Sequence, residues 1–329
     1  MRRTTLKDVG DHVGVSAKTV SNVINGTGWV REDLKTRVRQ AVVELGYHPN
    51  SAARQLRSGR SGMIALAVPD LSQPYFAELA SAIVAAAQER MITVMINQTN
   101  GLPETERRIS DGVGLPAMDG LILSPLALTA ADLSDRMDST PIVLLGEHIG
   151  ESALPHLTVD NAAAAQAATE LLIASGRRRI AAVGAQPTGP NETSELRLTG
   201  YRAALRAAGL AEDGRLVRTV VDFRRREGAA AIEGLLAEGV DFDAVFAFND
   251  LLALGAMHAL AEAGLRVPQD VAVIGFDDIE EGRYSTPPLT TVAPDKAAIG
   301  RLALDLLLAD TPAAGETTVP FSIARRMSA

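Results

Sequence analysis

From Gly62 onward, the sequence alternates between short runs of apolar residues and longer alanine-rich stretches with helical periodicity. Runs that are apolar throughout are typical of parallel strands buried on both faces, and the helices between them provide the crossovers. The strand candidates are 63–68, 92–96, 120–123, 142–145, 180–183, 244–247 and 271–276. The helix candidates include 76–90, 162–175, 195–208, 225–238, 251–263 and 296–309. The pattern predicts two doubly wound α/β lobes, with lobe changes near 158–161 and 289–294.

Charge is divided between a basic head and an acidic body. Residues 1–60 hold 11 of the 32 Lys and Arg residues but only 5 of the 40 Asp and Glu residues, in a chain of net charge −8. A basic module on an acidic body indicates a polyanion bound at one end only. A charged surface that is merely solvated would give the same count, so the interpretation depends on a motif in the head.

The head predicts three short helices with a tight turn between the first two. Thr5 and Asp8 have the spacing of a capping box, and Gly14-Val15-Ser16 provides a turn and the cap of the next helix. Apolar residues recur at helical spacing in all three segments. The residues expected to face the core are Leu6, Val9, Val13, Val20, Val23, Ile24, Leu34, Val38, Val42 and Leu45.

The outward face of the second helix suits a DNA major groove. A short turn between two helices is the arrangement that presents the second one to base edges. Lys18 can donate to guanine, Asn22 can pair with adenine, and Ala17 can touch a thymine methyl group. Thr19, Ser21 and the arginines of the third helix would contact phosphates. A generic helical hairpin is the alternative, but spacing, caps and charge together favour DNA binding.

Polar residues follow the carboxyl ends of the predicted strands, where open parallel sheets bind ligands. They are Asp70, Asn97, Ser124, Glu147, Asp160, Asn249, Asp250, Asp277 and Asp278. Most are amides or hydrogen-bond acceptors, which suit a neutral, hydroxyl-rich ligand better than an anion. Capping of the following helix is the alternative role for each of them.

Several function classes find no support in the sequence. There is no cysteine, and the five histidines do not have metal-ligand spacing. No nucleophile elbow or P-loop lysine is present, so we expect neither an enzyme nor a bound cofactor or metal. No apolar run approaches the ~20 residues of a membrane span, and no apolar stretch follows the charged start as in a secretory signal. We therefore expect a cytoplasmic protein.

The order of several short motifs resembles the head of the lactose/galactose repressor (LacI/GalR) family. These motifs are Leu6-Lys7-Asp8-Val9, Gly14-Val15-Ser16, Thr19-Val20-Ser21, Asn25-Gly26, Leu45-Gly46-Tyr47, Pro49-Asn50 and Ala53-Arg54. In the body, Val159-Asp160-Asn161, Phe248-Asn249-Asp250 and Gly275-Phe276-Asp277-Asp278 continue the likeness. Two residues depart from it. Gly10 replaces the usual alanine, at an expected cost of ~0.5–1 kcal/mol to the first helix. Asn22 stands where arginine is common, which leaves the base read there open.

The resemblance implies an N-terminal all-α helix-turn-helix head over 1–48 and a hinge helix with linker over 49–61. It also implies a periplasmic-binding-protein-like effector and dimerisation body over 62–329. The N-lobe would comprise about 62–160 and 293–317, and the C-lobe about 161–291 and 319–329. A third lobe crossing then lies around 317–320.

The implied DNA contacts extend from the head into the hinge. They are Lys7, Ser16, Ala17, Lys18, Thr19, Ser21, Asn22, Asn25, Asn50, Ala53, Arg54, Leu56 and Arg57. Leu56 would be a wedge in the minor groove. Residues 50–57 are too few for a stable isolated helix, so they are expected to fold only on DNA. A basic linker with an incidental leucine is the alternative.

The implied effector-binding residues lie at strand ends and in three further motifs. They are Asp70, Tyr75, Phe76, Ser124, Asp160, Arg197, Phe223, Asn249 and Asp277. Arg197 could bind a sugar hydroxyl or an effector carboxylate or phosphate, so it leaves a charged effector open.

The resulting prediction is a homodimeric transcriptional regulator that represses a carbohydrate-utilisation operon and is released by a small sugar-like effector. Its partners would be double-stranded operator DNA, the effector and a second copy, without cofactor, metal or membrane. No leucine heptad follows the last strand, so no tetramerisation segment is predicted. An activator or co-repressor-dependent regulator on the same scaffold remains open, as does a solute-binding protein without regulatory function.

Overall fold

The computed structural model of the 329-residue chain describes residues 4–47, 60–149, 153–188, 191–311 and 314–329, except for the side chain of Asn25. The chain divides into two compact units, Met1–Ser61 and Gly62–Ala329. No helix among the described residues has the length and apolar character needed to cross a membrane.

The first unit contains three helices, α1 (Leu6–Val13), α2 (Ala17–Asn25) and α3 (Glu32–Glu44). The predicted capping box is present: the Thr5 side chain accepts from the Asp8 amide, and Asp8 accepts from the Thr5 amide at 2.8 Å. Small apolar side chains from all three helices form the core. Those that are buried are Val9, Val13, Val20, Val23, Val38, Ala41 and Tyr47.

Gly10 lies at the contact between α1 and the turn that follows it. A Cβ atom added there would lie 2.6 Å from the Val15 carbonyl oxygen and 3.3 Å from the Ala17 amide nitrogen. The Gly10 carbonyl in turn accepts the amides of Gly14 and Val15. The missing side chain therefore allows the backbone of the turn to approach the helix, which offsets the propensity cost expected for this glycine.

The second unit contains twelve strands and nine α-helices within the described residues. The strands are β1 (Met63–Val68), β2 (Thr93–Gln98), β3 (Leu121–Leu123), β4 (Ile142–Leu145), β5 (Pro155–Val159), β6 (Ile180–Ala185), β7 (Val217–Thr219), β8 (Ala244–Ala247), β9 (Ala272–Phe276), β10 (Thr290–Pro294), β11 (Gly315–Val319) and β12 (Phe321–Ala324). The helices are α4 (Pro74–Gln88), α5 (Pro103–Ser110), α6 (Ala130–Ser134), α7 (Asn161–Ala174), α8 (Glu192–Ala207), α9 (Arg225–Ala237), α10 (Asp250–Glu262), α11 (Glu280–Arg283) and α12 (Lys296–Leu308).

These elements form two lobes, each built on a six-stranded sheet. The sheet of the first lobe has the order β11-β5-β4-β3-β1-β2, and that of the second has the order β12-β10-β9-β8-β6-β7. All strand pairs are parallel except β10 with β12. The prediction of an N-terminal helical head followed in the sequence by two doubly wound parallel-sheet lobes is therefore confirmed.

The chain crosses between the lobes three times. It leaves the first sheet after Val159, returns with α12 after Pro294, and crosses again at Pro320 between β11 and β12. The return and the last crossing fall at the carboxyl ends of the expected ranges, 289–294 and 317–320. The reason is strand pairing, because β10 remains paired with β12 through Pro294 and β11 remains paired with β5 through Val319.

The few aromatic residues are concentrated in the second lobe. Its core contains the four largest fully buried side chains, Tyr201, Phe246, Phe248 and Phe276. The first lobe is filled mainly by aliphatic residues of β1, β3, β4, α4 and α12. Phe248 and Phe276 lie at the carboxyl ends of β8 and β9. The polar residues Asn249 and Asp277 of the candidate site follow them directly in the sequence.

Candidate DNA-binding face and ligand cleft

The second helix of the head exposes the residues expected to read DNA. Ser16 caps α2 by accepting from the Thr19 amide at 3.1 Å, and its hydroxyl lies 2.9 Å from that of Thr19. Lys7, Ser16 and Lys18 are exposed. The partly buried members of the predicted set are Ala17, Thr19, Ser21 and Asn22. The Asn25 side chain and residues Asn50, Ala53, Arg54, Leu56 and Arg57 lie outside the described residues.

Two basic residues of α3, Lys35 and Arg37, already have contacts within the head. Arg37 donates to the Val13 carbonyl oxygen at 2.8 Å, which satisfies a carbonyl group at the end of α1. Lys35 lies 2.7 Å from the Glu32 carboxylate. Arg37 therefore has a structural contact in addition to the phosphate contact predicted from the sequence.

Arg197 is the central buried cation of the second lobe, with only 7% of its surface exposed. Its Nε donates to Asn161 Oδ1 at 2.7 Å and its Nη1 donates to the Phe248 carbonyl oxygen. The guanidinium lies 3.5 Å above the Phe276 ring, and Nη2 is 4.0 Å from Asp277 Oδ1. Burial lowers the pKa of Arg197, although neighbouring carboxylates oppose this shift.

Asp277 follows β9 directly and has φ of 113°, a conformation that is rare for a residue with a side chain. Burial raises the pKa of Asp277 to about 7, against the opposing effects of Arg197 and Lys296, while Glu147 and Glu78 raise it further. Burial, Asp277 and Glu147 likewise raise the pKa of Tyr75. Glu147 of the first lobe thus acts electrostatically on Asp277 of the second, and Asp277 acts on Tyr75 of the first. We call this space, bordered by Tyr75, Glu147, Arg197 and Asp277, the ligand cleft.

A buried carboxyl group supports the loop that carries Asp277. Asp250 is fully buried and accepts from the Thr291 hydroxyl at 2.5 Å and from the Ile279 amide at 2.9 Å. Burial and the charge of Asp277 raise the pKa of Asp250. A Cβ atom on Gly275 would lie 2.1 Å from Asp250 Oδ1, so only glycine leaves room for this carboxyl group.

Polar contacts join the two lobes around the ligand cleft. Asp70 of the first lobe accepts from Arg224 of the second at 2.7 Å. Although burial opposes the shift, hydrogen bonds from Ser72 and Arg224 lower the pKa of Asp70. Glu147 accepts from the Thr193 hydroxyl at 2.9 Å.

A further cross-lobe contact involves helix α4. Glu78 accepts from the Glu280 amide at 2.8 Å and from Lys296 Nζ at 2.6 Å. Lys296 also donates to the Asp278 carbonyl oxygen at 2.9 Å. Lys296 therefore connects the start of α12 to the loop that follows β9.

The other predicted effector residues have varied surroundings. Asn249 caps α10 by accepting from the Leu252 amide at 2.8 Å, and its amide group donates to the Phe223 carbonyl oxygen at 3.3 Å. Ser124 is buried at the end of β3, and the partly buried Phe76 packs on the first-lobe core. Asp160 is exposed and caps α7 through the Ala163 amide, which is the alternative role considered for strand-end residues.

Sequence reasoning missed several residues that border the ligand cleft. Asn161, the neighbour of Asp160, is the residue that holds Arg197. Glu78, Arg224 and Lys296 lie on helices or helix caps, where no strand-end signal marks them. Glu147 was recognised as a polar residue at a strand end, but it was not among the predicted effector-binding residues. Among the described residues, no group of three or more His, Asp or Glu side chains is placed to hold a metal ion.

A three-helix DNA-reading head followed by a bilobal body with a polar cleft defines a ligand-responsive DNA-binding protein. A family model described as "Bacterial regulatory proteins, lacI family" matches residues 5–50, and one for a periplasmic binding protein-like domain matches residues 169–328. The chain belongs to the lacI family of bacterial regulatory proteins.

Relatives are similar over nearly the full length of the chain. The ribose operon repressor of Escherichia coli (strain K12) is 35% identical over 311 residues, which cover 92% of each chain. The HTH-type transcriptional regulator CelR of Thermobifida fusca is 37% identical over 331 residues, covering 97% of this chain and 94% of the relative.

Solved structures show the same architecture. The lac repressor bound to ONPG in the repressed state has a TM-score of 0.84 at 27% identity and covers 100% of both chains. A transcriptional regulator CelR–cellobiose complex has a TM-score of 0.71 at 32% identity, covering 99% of this chain and 100% of that one. This protein is therefore a DNA-binding transcriptional regulator.

Proposed function

We propose that this regulator represses a carbohydrate-utilisation operon and releases its operator when a sugar-like effector enters the ligand cleft. The proposed DNA contacts are Lys7, Ser16, Ala17, Lys18, Thr19, Ser21, Asn22, Asn25, Asn50, Ala53, Arg54, Leu56 and Arg57. The proposed effector contacts are Asp70, Tyr75, Phe76, Ser124, Asp160, Arg197, Phe223, Asn249 and Asp277, to which we add Glu147.

The observation that carries the proposal is the buried polar group between the lobes. Arg197, above the Phe276 ring, and Asp277 provide a donor and an acceptor, and Tyr75 of the first lobe interacts electrostatically with both. Sugars present hydroxyl groups that both donate and accept, together with apolar ring faces that pack on aromatic side chains. Relatives named for ribose and a solved complex with cellobiose support the same ligand class.

The division of the chain supports separate operator and effector units. The boundary between the two compact units falls between Ser61 and Gly62. It is compatible with a head over 1–48, a hinge over 49–61 and a body over 62–329. A protein of this kind acts where DNA is, which supports a cytoplasmic location, and regulation without catalysis accounts for the site described.

Exposed apolar side chains on the body support a homodimer. Tyr284 is 79% exposed and borders an open groove of about 570 Å³ that also contacts Pro74 and Ala77 of α4. Leu71, which precedes α4, and Ile96 of the edge strand β2 are also exposed. A groove that combines an exposed aromatic side chain with apolar residues of α4 is a candidate interaction site. A dimer would also match a pseudo-palindromic operator.

The proposal is tested with the full-length protein and an operator selected from random duplexes. We expect one inverted-repeat sequence to be enriched, and at least one sugar of a panel containing ribose, galactose, glucose and cellobiose to release it in fluorescence anisotropy. Operator DNA must weaken binding of that sugar by the same factor, because the coupling between two sites is reciprocal. Enrichment of no inverted repeat, or equal sugar affinity with and without operator, contradicts the proposal.

A further inference from the structure

The cations around the ligand cleft are already bound to groups of the protein. Arg197 uses Nε for Asn161 and Nη1 for the Phe248 carbonyl oxygen, and its remaining amino group lies 4.0 Å from Asp277 Oδ1. Anion recognition by arginine relies on paired N–H groups that face the ligand. An anion could therefore approach Arg197 only beside a carboxylate.

Two further cations near the cleft are also paired. Lys296 lies 2.6 Å from Glu78 Oε2, and Arg224 lies 2.7 Å from Asp70 Oδ2. The Arg224–Asp70 pair joins the two lobes directly, whereas Lys296 and Glu78 both belong to the first lobe and each forms a further hydrogen bond to the backbone of the second. An anionic ligand would have to break one of these pairs, and the carboxylate left behind would then face the ligand.

Among the carboxyl groups of the cleft, Glu147 carries the least compensated negative charge. Among the described residues, Glu147 forms no ion pair; its acceptors are used by Thr193 at 2.9 Å and by the Val159 amide at 3.5 Å. Asp277 is 7% exposed and has Arg197 as its ion-pair partner at 4.0 Å. A phosphate group beside Glu147 would be repelled in a poorly solvated space, and its charge would also oppose the ionisation of Asp277, whose pKa is already raised to about 7.

The same groups favour the hydroxyl groups of a neutral ligand. A hydroxyl can donate to the Asp277 or Glu147 carboxylate in a charge-assisted hydrogen bond. The Tyr75 phenol, whose pKa is raised above the ordinary value by burial, provides a further donor and acceptor. A neutral ligand can therefore bind while Arg197, Lys296 and Arg224 keep their partners within the protein.

We infer that the ligand cleft selects an uncharged sugar and rejects its phosphorylated counterpart. This inference rests on the proposed function, since it concerns the same cleft and the same effector class. It addresses the question that Arg197 left open in the sequence, where this one residue kept a charged effector possible. The discriminating residues are Glu147 and Asp277, with Arg197 held in place by Asn161 and Phe248.

Calorimetric titration of the full-length protein with matched sugar pairs tests the inference. The pairs are ribose with ribose 5-phosphate, glucose with glucose 6-phosphate, and cellobiose with its 6-phosphate, alongside inorganic phosphate at matched ionic strength. We expect a neutral sugar to bind and its phosphorylated twin to bind about 100-fold more weakly, as like-charge contacts cost several kcal/mol. A phosphorylated twin that binds as tightly as the neutral sugar, or inorganic phosphate that competes with it, overturns the inference.

Glu147→Gln tests whether charge causes the discrimination. Glutamine keeps an oxygen that accepts from Thr193, so the shape of the cleft is retained. The affinity ratio of neutral to phosphorylated sugar should narrow by about tenfold, the effect of removing one nearby charge in a medium of intermediate dielectric. Glu238→Gln is the matched control, since Glu238 pairs with Arg218 on the surface of the second lobe. An unchanged ratio in Glu147→Gln contradicts the inference. If this variant binds neither ligand, Asp277→Asn is measured against the same two outcomes.

Different outcomes contradict the inference and the proposed function. Binding and operator release by a phosphorylated sugar alone overturns the inference and leaves the proposed sugar-responsive regulator intact. If neither neutral nor phosphorylated sugars bind, while the inverted-repeat operator is still bound, the proposed effector class is wrong and the inference falls with it.

Discussion

The carboxylate of Asp70 and the guanidinium of Arg224 connect the two lobes of the body at a distance of 2.7 Å. Asp70 follows β1 of the first lobe, whereas Arg224 caps α9 of the second. The Arg224 side chain is 41% exposed, so solvent screens the pair and its net contribution is small. The pair can form only when the two lobes are close together. It therefore stabilises the closed arrangement of the cleft, and it contributes little to the stability of either lobe by itself.

Arg224→Ala should weaken effector binding by about fivefold or less, because an exposed ion pair contributes up to about 1 kcal/mol to the arrangement that makes it. The measurement is a titration with whichever sugar releases the operator. Arg226→Ala is the matched control, since Arg226 pairs with Asp222 and Glu227 inside the second lobe. Equal affinities for the two variants would mean that the Asp70–Arg224 pair does not contribute to lobe closure.

Asp277 should make the stability of the protein depend on pH. Its pKa is raised from the ordinary 3.8 to about 7, so the folded protein retains a proton that the unfolded chain loses. Stability contributed by this proton is therefore lost as pH rises from about 4 to about 7, with a slope of at most about 1.4 kcal/mol per pH unit. The groups that act on Asp277 are Arg197, Lys296, Glu147 and Glu78.

The check is the melting temperature of the wild type and Asp277→Asn from pH 4 to pH 8. Asparagine is a suitable replacement because it tolerates positive φ. As pH rises from about 4 to about 7, the melting temperature of the wild type should fall relative to that of the variant. Above pH 7 the difference between the two melting temperatures should stay constant. A difference that is constant over the whole range would contradict the raised pKa of Asp277.

Gly10→Ala should destabilise the head although alanine is the better helix former. The gain in helix propensity is about 1 kcal/mol, whereas the new Cβ would meet the Val15 carbonyl at 2.6 Å. Backbone must then shift, at a cost typical of overpacking, about 1–3 kcal/mol. Calorimetry of the full chain and operator affinity are the measurements. Asp11→Ala, on the exposed side of α1, is the control, and a rise in head stability for Gly10→Ala would show that the turn adapts freely.

Arg37→Ala tests whether Arg37 mainly stabilises the head, through the Val13 carbonyl oxygen, or mainly binds a DNA phosphate. Loss of the hydrogen bond to the Val13 carbonyl should lower head stability by about 1 kcal/mol. The salt dependence of operator binding should change by less than the slope of about one that is expected for one lost phosphate contact. Arg39→Ala, an exposed position on α3, serves as comparison. Unchanged stability with a slope reduced by one would assign Arg37 to DNA instead.

Tyr284→Asp should convert a dimer to a monomer in sedimentation velocity. The side chain is 79% exposed beside an open groove that is also lined by Glu78, Glu280 and Glu281, so an aspartate buried there would be unpaired and repelled by neighbouring carboxylates. Met137→Asp is the control, because Met137 is 78% exposed but borders a different cavity in the first lobe. A dimer that persists in Tyr284→Asp would place the interface on another face.

Strands that are apolar throughout could be predicted, whereas strands with mixed composition could not. The runs at β1, β4, β8 and β9 match the structure closely. β5 was missed because His156 and Thr158 interrupt its apolar pattern, although pairing with β4 and β11 buries both residues. α6 was missed too, although Thr129 and Asp132 form a capping box that the sequence displays.

Local interactions explain what the amino-acid sequence determined by itself. The head helices, their caps at Thr5 and Ser16, and the order of strands and helices in the body depend on neighbours a few residues apart. Tertiary structure alone decided the cleft: Arg197 meets Asn161 across 36 residues, and Lys296 meets Glu78 across 218. Such pairs, and the burial that raises the pKa of Asp277, depend on how the sheets and lobes pack, which no local pattern encodes.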